Sequence, residues 1–141
     1  MKLAERQKQA AAMHAAGGNC AQSVAYALRD LVKGELDETA LFKVTEGFGL
    51  GMGGMDGTCG ALAGAVVIAG LINSSGSPKP SSKGQTYQLA KELLRRFQEA
   101  HGAVRCRDLK GVDTGKVLCS CPLCIDDAIR IACDVFGVED R

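Results

Sequence analysis

Seven of the 141 residues are cysteine, at positions 20, 59, 106, 119, 121, 124 and 133. A thiol can act as a nucleophile, as half of a disulfide or as a soft metal ligand. The densest cluster is Cys119-Ser120-Cys121-Pro122-Leu123-Cys124. Cys121-Pro122-Leu123-Cys124 is a CxxC opening a helix. That is the local geometry of dithiol oxidoreductases, whose N-terminal thiol is the lower-pKa nucleophile. Asp126 and Asp127 work against it by raising a neighbouring thiol's pKa, and no strand pattern supplies the thioredoxin-like βαβ context. Ile125 rather than His follows the pair, so the CxxCH signal for covalent c-type haem is absent. Zinc takes four ligands, commonly as two close pairs, and only one close group exists here. Cys106 could complete a four-thiol site with Cys119, Cys121 and Cys124, for zinc or an iron–sulfur cluster. Cys133 falls mid-helix on the buried side and reads as structural.

Cys20 lies one residue past a helix cap, and Cys59 one residue past another, Asp56 or Thr58 being the candidate cap. A helix N-terminus stabilises a thiolate, so both are candidate low-pKa thiols. Both read equally as small buried hydrophobes. Cys106 is flanked by Arg105 and Arg107, with Lys110 following, and nearby cations favour thiolate; an incidental cysteine in a basic loop fits the same residues. Gly49-Leu50-Gly51-Met52-Gly53-Gly54 matches GxGxxG. A dinucleotide site needs a strand before that motif and an acidic residue about 20 positions on. A helix precedes it and positions 69–75 hold no Asp or Glu, so no dinucleotide is expected. The glycines have another use: at Gly53, Gly54, Gly57 and Gly60, bare backbone N–H groups can face a thiolate, a cluster or an anion. His14 and His101 sit near helix C-termini, where a partly charged imidazole is favourable. No Ser/His/Asp or HExxH arrangement is present.

The elements that must position these thiols read as helical almost throughout. Lys2 to Ala16 is rich in helix formers and stops at Gly17-Gly18. Asn19 caps a second helix reaching about Val32. Asp37 caps a third, with a stripe of Ala40, Leu41, Val44 and Phe48. A glycine-dense loop, Gly47 to Gly57, precedes a helix that runs to about Asn73. That helix is apolar on every side and reads as the buried centre. Gly60, Ala61 and Gly64 keep its surface thin enough for another backbone to approach. Residues 73 to 84 are a Ser/Pro/Gly linker. Ser82 with Gln85 then makes a capping box for a fifth helix ending at Gly102. Val104 to Leu109 reads as a short turn. Pro122 suits the first position of a last helix that stops at Gly137. No strand alternation and no internal repeat appears. The expectation is one all-α, single-domain bundle over residues 1–141, with five or six helices and a Gly-rich loop before a buried central helix.

Composition narrows the function. Seventeen basic against sixteen acidic residues give a net charge of +1, and aromatics are 4% with no Trp. Neither a broad basic face nor a base-stacking platform is available, so no nucleic-acid partner is expected. The longest apolar run, Ala61 to Ile72, is 12 residues, short of the ~20 that span a membrane. A charged start without an apolar h-region and an odd number of cysteines favour a reducing, cytoplasmic setting. There, cysteines more often react or ligate than staple.

Gly18-Asn19-Cys20-Ala21-Gln22, the stretch Cys59-Gly60-Ala61-Leu62-Ala63-Gly64, Cys106 with Asp108-Leu109, and Cys124 before the last helix resemble the redox-active protein family named C_GCAxxG_C_C. The resemblance covers nearly the whole chain. It maps the family's four cysteines onto Cys20, Cys59, Cys106 and Cys124, and makes Cys119 and Cys121 additions. A related domain occurs in split-Soret cytochromes, which are dimeric haem proteins, but their haem-attachment motif is missing here. Three functions follow as expectations. The first is a redox protein that gathers Cys20, Cys59, Cys106 and Cys124 near the Gly47–Gly57 loop for disulfide exchange or electron transfer, with an unnamed redox partner. The second is a protein whose same thiolates ligate an iron–sulfur cluster or zinc. The third is a non-enzymatic helical interaction module whose cysteines pack its core. The Gly-faced central helix also suits a homodimer interface.

Overall fold

The computed structural model describes residues 1–139. Among them are eight α-helices: α1 (Leu3–Ala15), α2 (Cys20–Leu28), α3 (Glu38–Glu46), α4 (Gly49–Met52), α5 (Gly60–Asn73), α6 (Lys83–His101), α7 (Cys106–Leu109) and α8 (Cys121–Val135). A 3-10 turn, Arg29–Leu31, extends α2. No strand occurs among the described residues; Thr58 and Arg105 form one isolated antiparallel bridge. The all-helical expectation therefore holds. The count exceeds five or six because it includes α4, a single distorted turn of the Gly47–Gly57 stretch in which Leu50 and Gly51 take left-handed backbone, and α7, into which the turn after Val104 closes.

Two helices share the centre. In α2, every residue from Ala21 to Ala25 is buried, with Ala27 and Leu28. In α5, burial is continuous from Gly60 to Ala65 and resumes at Ile68 and Ala69. The C-terminal end of α5 emerges, leaving Leu71 and Ile72 exposed, so α5 is buried over its first turns rather than throughout. The two helices meet backbone to backbone. A Cβ on Gly64 would stand 2.4 Å from the Ala21 carbonyl oxygen. Around this pair pack α1, α3, α6 and α8. They supply the large core side chains Leu93, Phe97 and Ile129, which are fully buried and contribute about 1.5–3 kcal/mol each.

Local signals explain most boundaries. Asn19 forms a complete capping box: its Oδ1 accepts from the Gln22 N–H at 2.9 Å, and Gln22 Oε1 accepts from the Asn19 N–H at 2.9 Å. Asp37 caps α3 by accepting from the Ala40 N–H. Two boundary readings and one reading of a helix face change. Cys59 itself is the N-cap of α5, in place of Asp56 or Thr58. Ser82 makes no cap bond, because its hydroxyl accepts from the Ser75 N–H instead. Leu41 and Thr45 form the inner face of α3, while Val44 is exposed.

One buried charge fastens the bundle. Arg6 of α1 is 2% exposed. It donates to the Ala27 carbonyl at 3.1 Å and forks onto the Asp30 carboxylate. Arg6→Ala removes a buried alkyl stem as well as the fork and leaves the Ala27 carbonyl without its donor. Since Asp30 keeps access to water, the expected loss is about 2–3 kcal/mol, measurable as a lower denaturant midpoint with an unchanged slope.

Candidate functional site

Four helices begin at one place, each carrying a cysteine there. Cys20 is the first residue of α2, Cys59 the N-cap of α5, Cys106 the first residue of α7 and Cys121 the first of α8. Cys124 follows one turn into α8, and Cys119 sits just before it. These six residues line a single cavity of about 200 Å³, together with Leu50, Leu109, Lys110, Asn19, His14 and Gly60. The four cysteines of the first expectation are thus brought together, and Cys119 and Cys121 join them. Cys133 does not line the cavity; it is buried within α8.

Backbone pairing sets the spacing. The Cys59 N–H donates to the Val104 carbonyl at 2.7 Å, and the Cys106 N–H donates to the Gly57 carbonyl at 2.9 Å. The start of α5 is thereby stitched to the start of α7. Leu109 accepts from the N–H groups of Leu118 and Cys119, which draws the approach to α8 onto α7. The glycine loop closes the other side. Gly51 has φ +56°, and a Cβ there would lie 2.5 Å from the Cys106 Cβ, so only glycine lets the loop lie against this cysteine. Of the four glycines expected to face a ligand, Gly60 lines the cavity. Gly57 packs against Met52, and Gly53 and Gly54 have nothing within 4 Å of where a Cβ would be.

The sulfurs fall into two groups. Cys124 contacts both Cys59 and Cys119, its thiol donating at 3.7 Å to the Cys119 carbonyl, and Cys20 contacts Cys121. The CxxC is split: Cys121 faces Cys20 of α2, while Cys124 faces Cys59 at the start of α5 and Cys119 just before α8. The Cys59 thiol is held down to about 7, first by the hydrogen bond from Cys124, then by the Ala61 and Leu62 N–H groups at the start of α5 and by the Lys110 charge. These outweigh its burial. The reciprocal effect pushes Cys124 upward: the hydrogen bond to Cys59 holds its proton, and burial adds to it.

Cys20 departs from expectation. Burial, followed by the nearby Cys121 and Cys59 sulfurs, pushes it up to about 12 despite its helix N-terminus. Cys106 also rises, chiefly by burial. Arg105 and Arg107 do not serve it, because they pair outward with Asp56 and Asp113. The cation that serves the cavity is Lys110, whose Nζ lies 2.7 Å from the Cys121 sulfur.

His101, which sequence reasoning treated only as a helix-end residue, binds Asp127 through Nε2 at 2.6 Å and stands 4.0 Å from the Cys119 sulfur. Nothing in the spacing of residues 101, 119 and 127 signals this contact; it arises where α6 packs on α8. Among the described residues, no group of three or more His, Cys, Asp or Glu side chains is arranged to hold a metal ion. Nor is any helix among them long and apolar enough to cross a membrane.

No curated protein and no solved structure matches the chain. A family model does, over residues 18–135, a span that includes all seven cysteines. Its description is "Putative redox-active protein (C_GCAxxG_C_C)". With the model matching most of its length, the chain belongs to this family.

Proposed function

We propose that the protein carries out thiol–disulfide exchange, with Cys59 as the nucleophile and Cys124 as the thiol that closes the disulfide. The supporting observation is the Cys59–Cys124 contact at the start of α5. There, one sulfur is favoured as thiolate and the other keeps its proton. A thiol titrating near ambient pH combines thiolate fraction with nucleophilicity. In the exchange, the Cys59 thiolate attacks one sulfur of a substrate disulfide and expels the other as a thiolate. Cys124 then attacks the Cys59 sulfur, the remaining substrate thiolate leaves, and it takes up the Cys124 proton. The substrate disulfide is reduced to one thiolate and one thiol, and the Cys59–Cys124 pair is oxidised.

Mild oxidation of the reduced chain followed by peptide mapping tests this reading. The expected product links Cys59 to Cys124, and Cys124→Ser leaves Cys59 in a disulfide that it cannot resolve. Failure of Cys59 and Cys124 to link in the wild type would overturn it.

A metal-binding reading draws on the same sulfurs, since six thiols on one cavity are a soft donor set. Among the described residues no three of them stand as a metal-ligating group, and the exchange reading rests instead on the Cys59–Cys124 contact. Anaerobic purification with iron, sulfide and zinc analysis separates the two readings: stoichiometric iron with sulfide, or stoichiometric zinc, favours the metal.

A further inference from the structure

We infer that Cys20 and Cys121, with Lys110 beside them, form an outer dithiol that takes a disulfide from a partner and passes it inward to Cys59 and Cys124. This inference rests on the exchange reading above and adds the route by which the buried pair is oxidised.

Accessibility is the first argument. Cys59 and Cys124 are 6% and 4% exposed, whereas Cys20 and Cys121 are only half-buried. A partner disulfide on the surface of another molecule meets the outer sulfurs before the inner ones. The second argument is polarity. The Cys121 sulfur accepts a hydrogen bond from the Lys110 ammonium at 2.7 Å, and Cys20 lines the same cavity beside it. That is the setting of an attacking or leaving thiolate, with its resolving thiol already in contact. The third is continuity. Cys20, Cys121, Cys59 and Cys124 line one cavity with Lys110, so no wall of the fold separates the outer sulfurs from the inner ones.

The steps balance. The Cys121 thiolate attacks a partner disulfide and expels one partner thiolate. Cys20 attacks the Cys121 sulfur, and the second partner thiolate leaves with the Cys20 proton. The partner is now reduced and Cys20–Cys121 is oxidised. The Cys59 thiolate then attacks the Cys20 sulfur. The Cys20–Cys121 bond breaks, and Cys121 departs as a thiolate against the Lys110 ammonium. Finally Cys124 attacks the Cys59 sulfur, and Cys20 leaves carrying the Cys124 proton. The inner transfer moves one disulfide with no net oxidation.

The reduced full-length chain is mixed with 2-hydroxyethyl disulfide, quenched with acid at intervals, blocked with N-ethylmaleimide and mapped by mass spectrometry. In the wild type the Cys20–Cys121 link is expected to appear first and to decay as Cys59–Cys124 grows. Cys121→Ala and Cys20→Ala should each slow the inner link by about tenfold or more. Lys110→Gln should let the outer link persist, slowing its transfer by about tenfold. Cys59→Ser with Cys124→Ser should form the outer link and keep it.

Two results overturn the relay: an inner link that forms at the wild-type rate in both outer-pair variants, or no outer link in the double variant. Failure of the exchange reading itself looks different. The wild type would then accumulate Cys20–Cys121 and never Cys59–Cys124.

Discussion

Gly64→Ala is expected to destabilise the protein by about 3 kcal/mol, a large effect for one methyl group. The added Cβ would sit 2.4 Å from the Ala21 carbonyl oxygen and 3.1 Å from its carbonyl carbon and Cα. All three are backbone atoms, so no side-chain rotation relieves the clash. The two central helices must separate. Ala21 adjoins Cys20, and Gly64 lies one turn beyond Gly60 and the Cys59 cap, so separation also pulls Cys20 from the inner pair. The second glycine of the CGAxxG segment is thus a condition of sulfur convergence.

Gly70→Ala is the matched control on the same helix. Nothing lies within 4 Å of its Cβ position, and helix propensity alone should stabilise by up to about 1 kcal/mol. Chemical denaturation of both variants checks the contrast. Equal shifts in the two would mean that the close approach of α2 and α5 is not what Gly64 provides.

The same packing explains what could be read in advance. Asn19 as a cap was legible because Asn followed three residues later by Gln is a local pattern, and the box it forms is local too. The identity of α5 as a central helix was legible from its glycines and its lack of polar residues. The cap at Cys59 was not. A cysteine is rarely read as a cap, and its position is fixed by the bond to Val104, some 45 residues along the chain. The sulfur pairing was hidden for a stronger reason. Proximity in sequence suggests Cys121 with Cys124, but each meets a helix start from elsewhere in the chain, so Cys121 meets Cys20 while Cys124 meets Cys59 as well as Cys119. Charge was misleading at Cys106 as well. Arg105 and Arg107 are adjacent to it in sequence, yet both turn to surface carboxylates, and the ammonium that reaches the sulfurs comes from one helical turn later.

Alkylation of Cys59 by iodoacetamide should rise with pH through a midpoint of about 7, while Cys20, pushed up to about 12, reacts far more slowly below pH 9. The largest single cause of the Cys59 value is the hydrogen bond from Cys124. Cys124→Ala removes it and leaves burial to act against the thiolate, so the midpoint should move up towards the ordinary thiol range. At pH 7 the rate should fall by about tenfold or more, since each unit of upward movement removes about tenfold of the thiolate.

Stability should follow the same titration. Below pH 7 Cys59 is protonated in both folded and unfolded chains and contributes nothing. Between 7 and the ordinary thiol value of 9.0, the folded chain releases the proton while the unfolded chain keeps it, so its contribution to stability grows with pH. Above 9, Cys20 and Cys124 act in the opposite sense, because the unfolded chain ionises while these two hold their protons. The thiol contribution to stability should therefore peak near pH 9, and the rise between 7 and 9 should vanish in Cys59→Ala. A wild-type Cys59 that alkylates with a midpoint near 9, unmoved by Cys124→Ala, would remove the thiolate from the start of α5 and the nucleophile from the proposed exchange.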